Sequence, residues 1–161
     1  ETISINIPAG VSEGMQLSMS GKGNAAPRGG VPGDLIILIE EVAHESLKRD
    51  GLNVIYDLYI NFVDATLGTS VEVPTIDGKA KIKIEPGTQG GKILRLKGKG
   101  IPEVNSYHKG DQLVYVNIWT PKAVSIEEKE LLNKLKESPN FKPQPGKSEK
   151  SFFERIKEYF E

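Results

Sequence analysis

The chain has 161 residues, of which 37% are hydrophobic and 27% charged, with a formal net charge of −1. That composition describes one globular domain or two small ones. No apolar run approaches the roughly 18–20 residues that span a bilayer, the balanced charge offers no field to draw nucleic acid or an anionic membrane, and the absence of cysteine excludes a disulfide frame and a thiolate metal site. The cysteine count fits the cytoplasm.

The chain opens on a strand-like alternation at Thr2–Ile7, with neither an initiator Met nor a signal peptide, and is expected to be a piece of something longer. Ile5 and Ile7 alternate, a turn flanked by Gly10 and Gly14 follows, and Leu17 and Met19 alternate again before Gly21-Lys22-Gly23. Period two marks strands buried on one face. A Gly/Pro-rich loop at Asn24–Gly33 leads to Gly33-Asp34, which opens a third strand, Leu35–Val42.

The next segment is of another kind. Asp50-Gly51 signals a turn, and Leu52–Ile60 mixes β-branched, aromatic and aliphatic residues as a buried strand does. Asn61, with Asp64 three residues on, caps a short helix through Leu67 that Gly68 ends. Ser70–Pro74 reads as a strand, and Asp77-Gly78 as a two-residue hairpin turn into Lys79–Ile84.

Then the opening pattern returns. A shift of 77, without a gap, carries Ile5 to Ile82, Ile7 to Ile84, Gly10 to Gly87, Gly14 to Gly91, Leu17 to Leu94, Gly21-Lys22-Gly23 to Gly98-Lys99-Gly100, and Gly33-Asp34 to Gly110-Asp111 ahead of a strand at Gln112–Trp119. The counterpart of Ser46–Asp77 in the first copy falls before Glu1, so the first sheet is expected to have fewer strands than the second. After Pro121 the pattern turns helical: Ser125-Ile126-Glu127-Glu128 is a capping box, Leu131, Leu132 and Leu135 share a side, and Ser138-Pro139 stops the run. Asn140–Lys147 holds two prolines and a glycine, a linker. In SFFERIKEYFE, Ser151 and Glu154 repeat the capping box, and Phe152, Phe153, Ile156, Tyr159 and Phe160 form a helical stripe.

The fold expected is mainly β: two tandem β-sandwich-like domains, the first truncated (1–43, then 44–121), a capped helix (122–139), a linker (140–150) and a terminal helix (151–161). A linker with two prolines is expected to place the terminal stripe away from the β-domains, so the same helix of a second chain in a two-fold pairing is its expected partner, with folding back onto its own domain as the alternative.

No residues suggest an enzyme. Gly21–Ala26 nearly matches a dinucleotide fingerprint, but Pro27-Arg28-Gly29-Gly30 cannot open the helix that a phosphate needs, and Gly91-Lys92 lacks the spacing of a phosphate loop. His44 and His108 have no second ligand at metal spacing and read as satisfied or solvated. Asp34, Asp50, Asp77 and Asp111 neighbour Gly in turns, where their own backbone explains them. Lys79, Lys81, Lys83, Arg95, Lys97 and Lys99 fall on alternate positions of what read as adjacent strands, a solvated antiparallel face rather than a nucleic-acid surface, since no aromatics interleave them. One non-enzymatic reading of such a chain is a tandem β-module for carbohydrate or a folded partner. Its one sugar platform, Trp119, reads as core.

In order and spacing, PAGV at 8–11, GDL at 33–35, H-x-x-L-x-R-x-G at 44–51, ATLG at 65–68, VPT-x-DG at 73–78 and the terminal SFFERIKEYF together resemble the C-terminal client-binding region of bacterial DnaJ co-chaperones. The resemblance covers essentially the whole chain. It implies non-catalytic holding of unfolded polypeptide for delivery to a seventy-kilodalton heat-shock ATPase, and C-terminal homodimerisation. It implies no cofactor in this stretch. Zinc belongs to the family's cysteine-rich module, which interrupts the first β-domain ahead of a strand like Thr2–Ile7; the J domain and Gly/Phe segment are likewise not in this sequence. The family often has Phe where this chain has Leu47, which keeps the apolar character with less contact area. Leu47, Tyr56 and Leu58 are the expected client-binding residues, Leu47 by that position and the other two because they share a face of one strand beside it. An extended client would add to a strand edge through main-chain hydrogen bonds.

Overall fold

The computed structural model describes residues 2–145. Those up to Thr120 belong to one compact unit, and a second begins at Pro121.

In the first copy, β1 (Gln16–Met19) and β2 (Leu35–Leu38) pair antiparallel, with Leu17 opposite Ile37. The expected strand at Thr2–Ile7 does not form. Its alternation is present, but a strand exists only through a neighbour that takes its N–H and C=O groups, and no described strand pairs with it. The third strand of this copy is also shorter than expected, ending at Leu38 rather than Val42.

The second copy has a four-stranded sheet, in the order β3 (Leu47–Asp50), β4 (Asn53–Asn61), β8 (Gln112–Trp119), β7 (Ile93–Leu96). Between β4 and β7 the chain forms α1 (Phe62–Leu67) and the antiparallel hairpin of β5 (Thr69–Thr75) and β6 (Gly78–Ile84). Strands β4 and β8 run parallel, which this long crossover permits. Helix α1 is capped as its sequence requires: Asp64 N donates to Asn61 Oδ1 at 2.7 Å, and Gly68, at φ +81°, closes the other end on the Asp64 carbonyl. The hairpin turns one residue earlier than expected, at Ile76-Asp77. Gly78 already pairs with Thr75 and takes the positive φ that neither turn residue adopts.

The core lies between the four-stranded sheet and the hairpin. Leu58, Ile60, Val114 and Val116 from the sheet meet Val73, Ile82 and Ile84 from the hairpin and Ala65 from α1. Val73, Val114 and Val116 are completely shielded. Each such side chain contributes about 1.5–3 kcal/mol on burial.

The 77-residue repeat extends to individual hydrogen bonds. Gln16 opposite Leu38 becomes Ile93 opposite Tyr115. Gly14 N to Ile39 O (3.0 Å) becomes Gly91 N to Val116 O (2.8 Å), and Gly23 N to Gly33 O (2.7 Å) becomes Gly100 N to Gly110 O (2.9 Å). Asp34 and Asp111 play one role, each accepting through Oδ1 from the backbone N–H of the first glycine of its G-K-G turn, Gly21 at 3.1 Å and Gly98 at 2.7 Å. The two aspartates therefore tie a turn 13 residues away to the next strand, rather than capping their own backbone.

In the second unit, α2 (Ile126–Lys136) begins with the expected capping box: Glu128 N donates to Ser125 Oγ at 3.2 Å, and Ser125 N donates to Glu128 Oε2 at 2.6 Å. Pro139–Phe141 forms a single 3-10 turn after it. The terminal stripe of Phe152, Phe153, Ile156, Tyr159 and Phe160 lies outside the described residues.

Candidate functional site

Strand β3 is one of the two edge strands of the larger sheet, β7 being the other. Its sequence, LKRD, has no strong strand propensity, and sequence reading finds only the turn after it. Pairing with β4 makes it a strand, with Leu47 opposite Tyr56 and Arg49 opposite Val54. Directly opposed residues share a face, and on β4 that face continues from Tyr56 to Leu58, over the core. The three sequence candidates thus lie along one line, but at different depths. Leu47 and Tyr56 are half-buried at the rim, Tyr56 against the core cluster, whereas Leu58 is only 6% exposed inside it. Burial gives Leu58 to the core and leaves Leu47 and Tyr56 as the accessible pair.

Two residues of the H-x-x-L-x-R-x-G motif hold this edge, in roles that the sequence reading did not assign them. His44, in the bend before β3, accepts through Nδ1 from the backbone N–H groups of both Ser46 and Leu47, each at 3.1 Å. Arg49 reaches from β3 into the first copy: Nη2 donates to Gly10 O at 3.0 Å and Nη1 to Val11 O at 2.7 Å, Nε donates to Gly51 O at 3.0 Å, and Glu41 pairs with the same guanidinium. Beside that joint Gly10 has φ +94°, and a Cβ there would lie 1.9 Å from the Pro102 carbonyl oxygen. The spacing of His44 to Leu47 is that of a side-chain cap, a signal usually sought in Asp, Asn or Ser. Nothing local announces the partners of Arg49, which lie 38 and 39 residues away.

The cationic residues do not form one surface. Strands β6 and β7 belong to different sheets. Lys79 faces Glu72 and Lys83 faces Glu85 in exposed pairs of little energetic weight, while Arg95 pairs with Asp111. Trp119, expected in the core, is half exposed and meets Tyr59 edge to face with centroids 6.5 Å apart. Among the described residues no group of His, Asp or Glu is placed to hold a metal ion, and no helix is long and apolar enough to cross a membrane.

Asp111 carries a clear electrostatic signature. The N–H of Gly98, then the Arg95 side chain, hold its carboxyl below the usual carboxylate range. A depressed folded value means that Asp111 contributes stability above its unfolded pKa of about 3.9 and loses it as pH falls through the lower folded value. In urea melts from pH 7 to pH 2, Asp111→Asn is expected to be less stable than the parent at neutral pH and to converge on it in acid. Parallel curves would remove Asp111 from the acid response.

The geometry defines a protein of two copies of one β-unit, joined by an arginine, with an open sheet edge in the second. The chain belongs to the DnaJ C-terminal domain family, whose model matches residues 1–121. It is 54% identical over 161 residues to a protein named Chaperone protein DnaJ from Bacteroides thetaiotaomicron, covering all of this chain and 40% of that one. It is 48% identical over 162 residues to the protein of the same name from Salinibacter ruber, covering 99% and 42% respectively. The chain thus spans about two fifths of the length of these relatives.

Proposed function

We propose that this chain is the client-holding part of a co-chaperone, which binds unfolded polypeptide without catalysis and passes it to a seventy-kilodalton heat-shock ATPase. The observation that carries the reading is β3, a four-residue edge strand bordered by the half-buried side chains of Leu47 and Tyr56. An extended client adds to the edge through main-chain hydrogen bonds that ignore sequence, and its large apolar side chains rest on that pair. The relatives' name, Chaperone protein DnaJ, supports it.

The proposal includes a homodimer formed through Phe152, Phe153, Ile156, Tyr159 and Phe160. Two tethered edges on one long client raise the effective concentration at the second, so avidity offsets weak single sites.

The test is suppression of aggregation of a denatured client in the absence of ATP. Leu47→Asp puts a charge where the client's apolar groups rest and is expected to weaken client affinity by about tenfold or more, with the thermal transition retained. Deleting residues 151–161 is expected to halve the mass in solution and to weaken retention of long clients more than of short peptides. Full protection by Leu47→Asp sinks the edge reading; an unchanged mass after the deletion sinks the dimer.

A further inference from the structure

We propose that His44 is a positioning residue of the client edge: its imidazole caps the start of β3 and fixes the direction in which Leu47 leaves the bend. The inference rests on the reading of Leu47 as a client contact.

Its basis is the fork at Nδ1, which receives Ser46 N and Leu47 N at 3.1 Å each. Strand β3 has four residues and, among the described residues, one neighbouring strand, so its first residue is where the pairing frays first. That residue is Leu47. Its backbone N–H and that of the residue before it are gathered onto one acceptor two and three positions back, the arrangement by which a side chain fixes a turn. Receiving two N–H groups requires a lone pair at Nδ1, which the tautomer with its proton on Nε2 presents.

His44 is exposed, and donors released there turn to water rather than staying unsatisfied in the interior. Removing the ring therefore loosens the start of β3 and leaves the core as it was. The reach of the acceptor decides which substitution works. Asn carries Oδ1 one bond from Cγ, as His carries Nδ1, and restores the cap. Gln places its oxygen one carbon further out and does not.

Amide hydrogen exchange on the whole chain without client reads the cap directly. His44→Ala and His44→Gln are expected to speed exchange at Ser46 and Leu47 on the order of tenfold, with Val114 and Val116 unchanged. His44→Asn restores both rates. A long-range proton–nitrogen spectrum of the parent should show Nδ1 unprotonated. Affinity for an extended apolar peptide should fall in the same order, about threefold for Ala and Gln and close to the parent for Asn.

Unchanged exchange at Ser46 and Leu47 in His44→Ala overturns the cap whatever the peptide does. Faster exchange with undiminished peptide affinity, where Leu47→Asp weakens binding as expected, leaves a structural cap and overturns the positioning role. If Leu47→Asp itself binds peptide normally, the edge reading has failed, and the exchange data show separately whether the cap exists.

Discussion

Arg49→Ala is expected to lower the stability of the two-copy unit by about 3 kcal/mol, because charge-assisted hydrogen bonds contribute roughly 1.5–3 kcal/mol each and are not additive. One guanidinium reaches three backbone carbonyls, two of them in the first copy, with Glu41 as counter-ion. The carboxylate matters less than the carbonyls, since a partly solvated ion pair contributes little, whereas Gly10 O and Val11 O lose their bridge to the second copy. Arg49→Lys keeps the charge without the planar fork and is expected to restore only a small part of the loss. Spin labels at Ser18 and Lys81, one in each copy, should show a broader distance distribution in Arg49→Ala. A lysine variant as stable as the parent, with an equally narrow distribution, would mean that something other than the fork joins the copies.

A second large effect is expected where the two copies read alike and differ in space. Gly33 and Gly110 precede equivalent aspartates and accept equivalent backbone hydrogen bonds. A Cβ at Gly110 would lie 2.0 Å from the Leu52 carbonyl oxygen, a contact with backbone that cannot swing away, whereas at Gly33 the nearest atom is 4.0 Å off. Gly110→Ala is therefore expected to cost about 3 kcal/mol or more, and Gly33→Ala to stay within about 0.5 kcal/mol of the parent, as substitutions in open surroundings do. Urea midpoints of the two variants decide it. Equal losses would remove the Leu52 contact as the cause.

The repeat was legible because glycines, alternating apolar residues and one aspartate per copy recur in fixed register, and that register is the hydrogen-bond pattern itself. Both helix caps were legible for the same reason: Asn61 with Asp64 and Ser125 with Glu128 act over three residues of chain. The family resemblance drew on motifs of the same short range.

Strand β3 was hidden, since LKRD has no periodic signal and becomes extended only against β4. The candidate site was therefore half readable. A shared face for Tyr56 and Leu58 follows from alternation, but which of them lies under the hairpin does not, and neither does the exposure of Trp119. By itself the sequence determined the repeat, the caps and the glycine turns, because local backbone conformation and short-range hydrogen bonds dictate them. Only the tertiary structure decided that β3 is an edge, that Leu58 belongs to the core, that Arg49 joins the copies and that Gly110 admits no side chain, because each depends on which segments come to lie alongside or above it: β4 on one side of β3, the hairpin over Leu58, Gly10 and Val11 at Arg49, and Leu52 at Gly110.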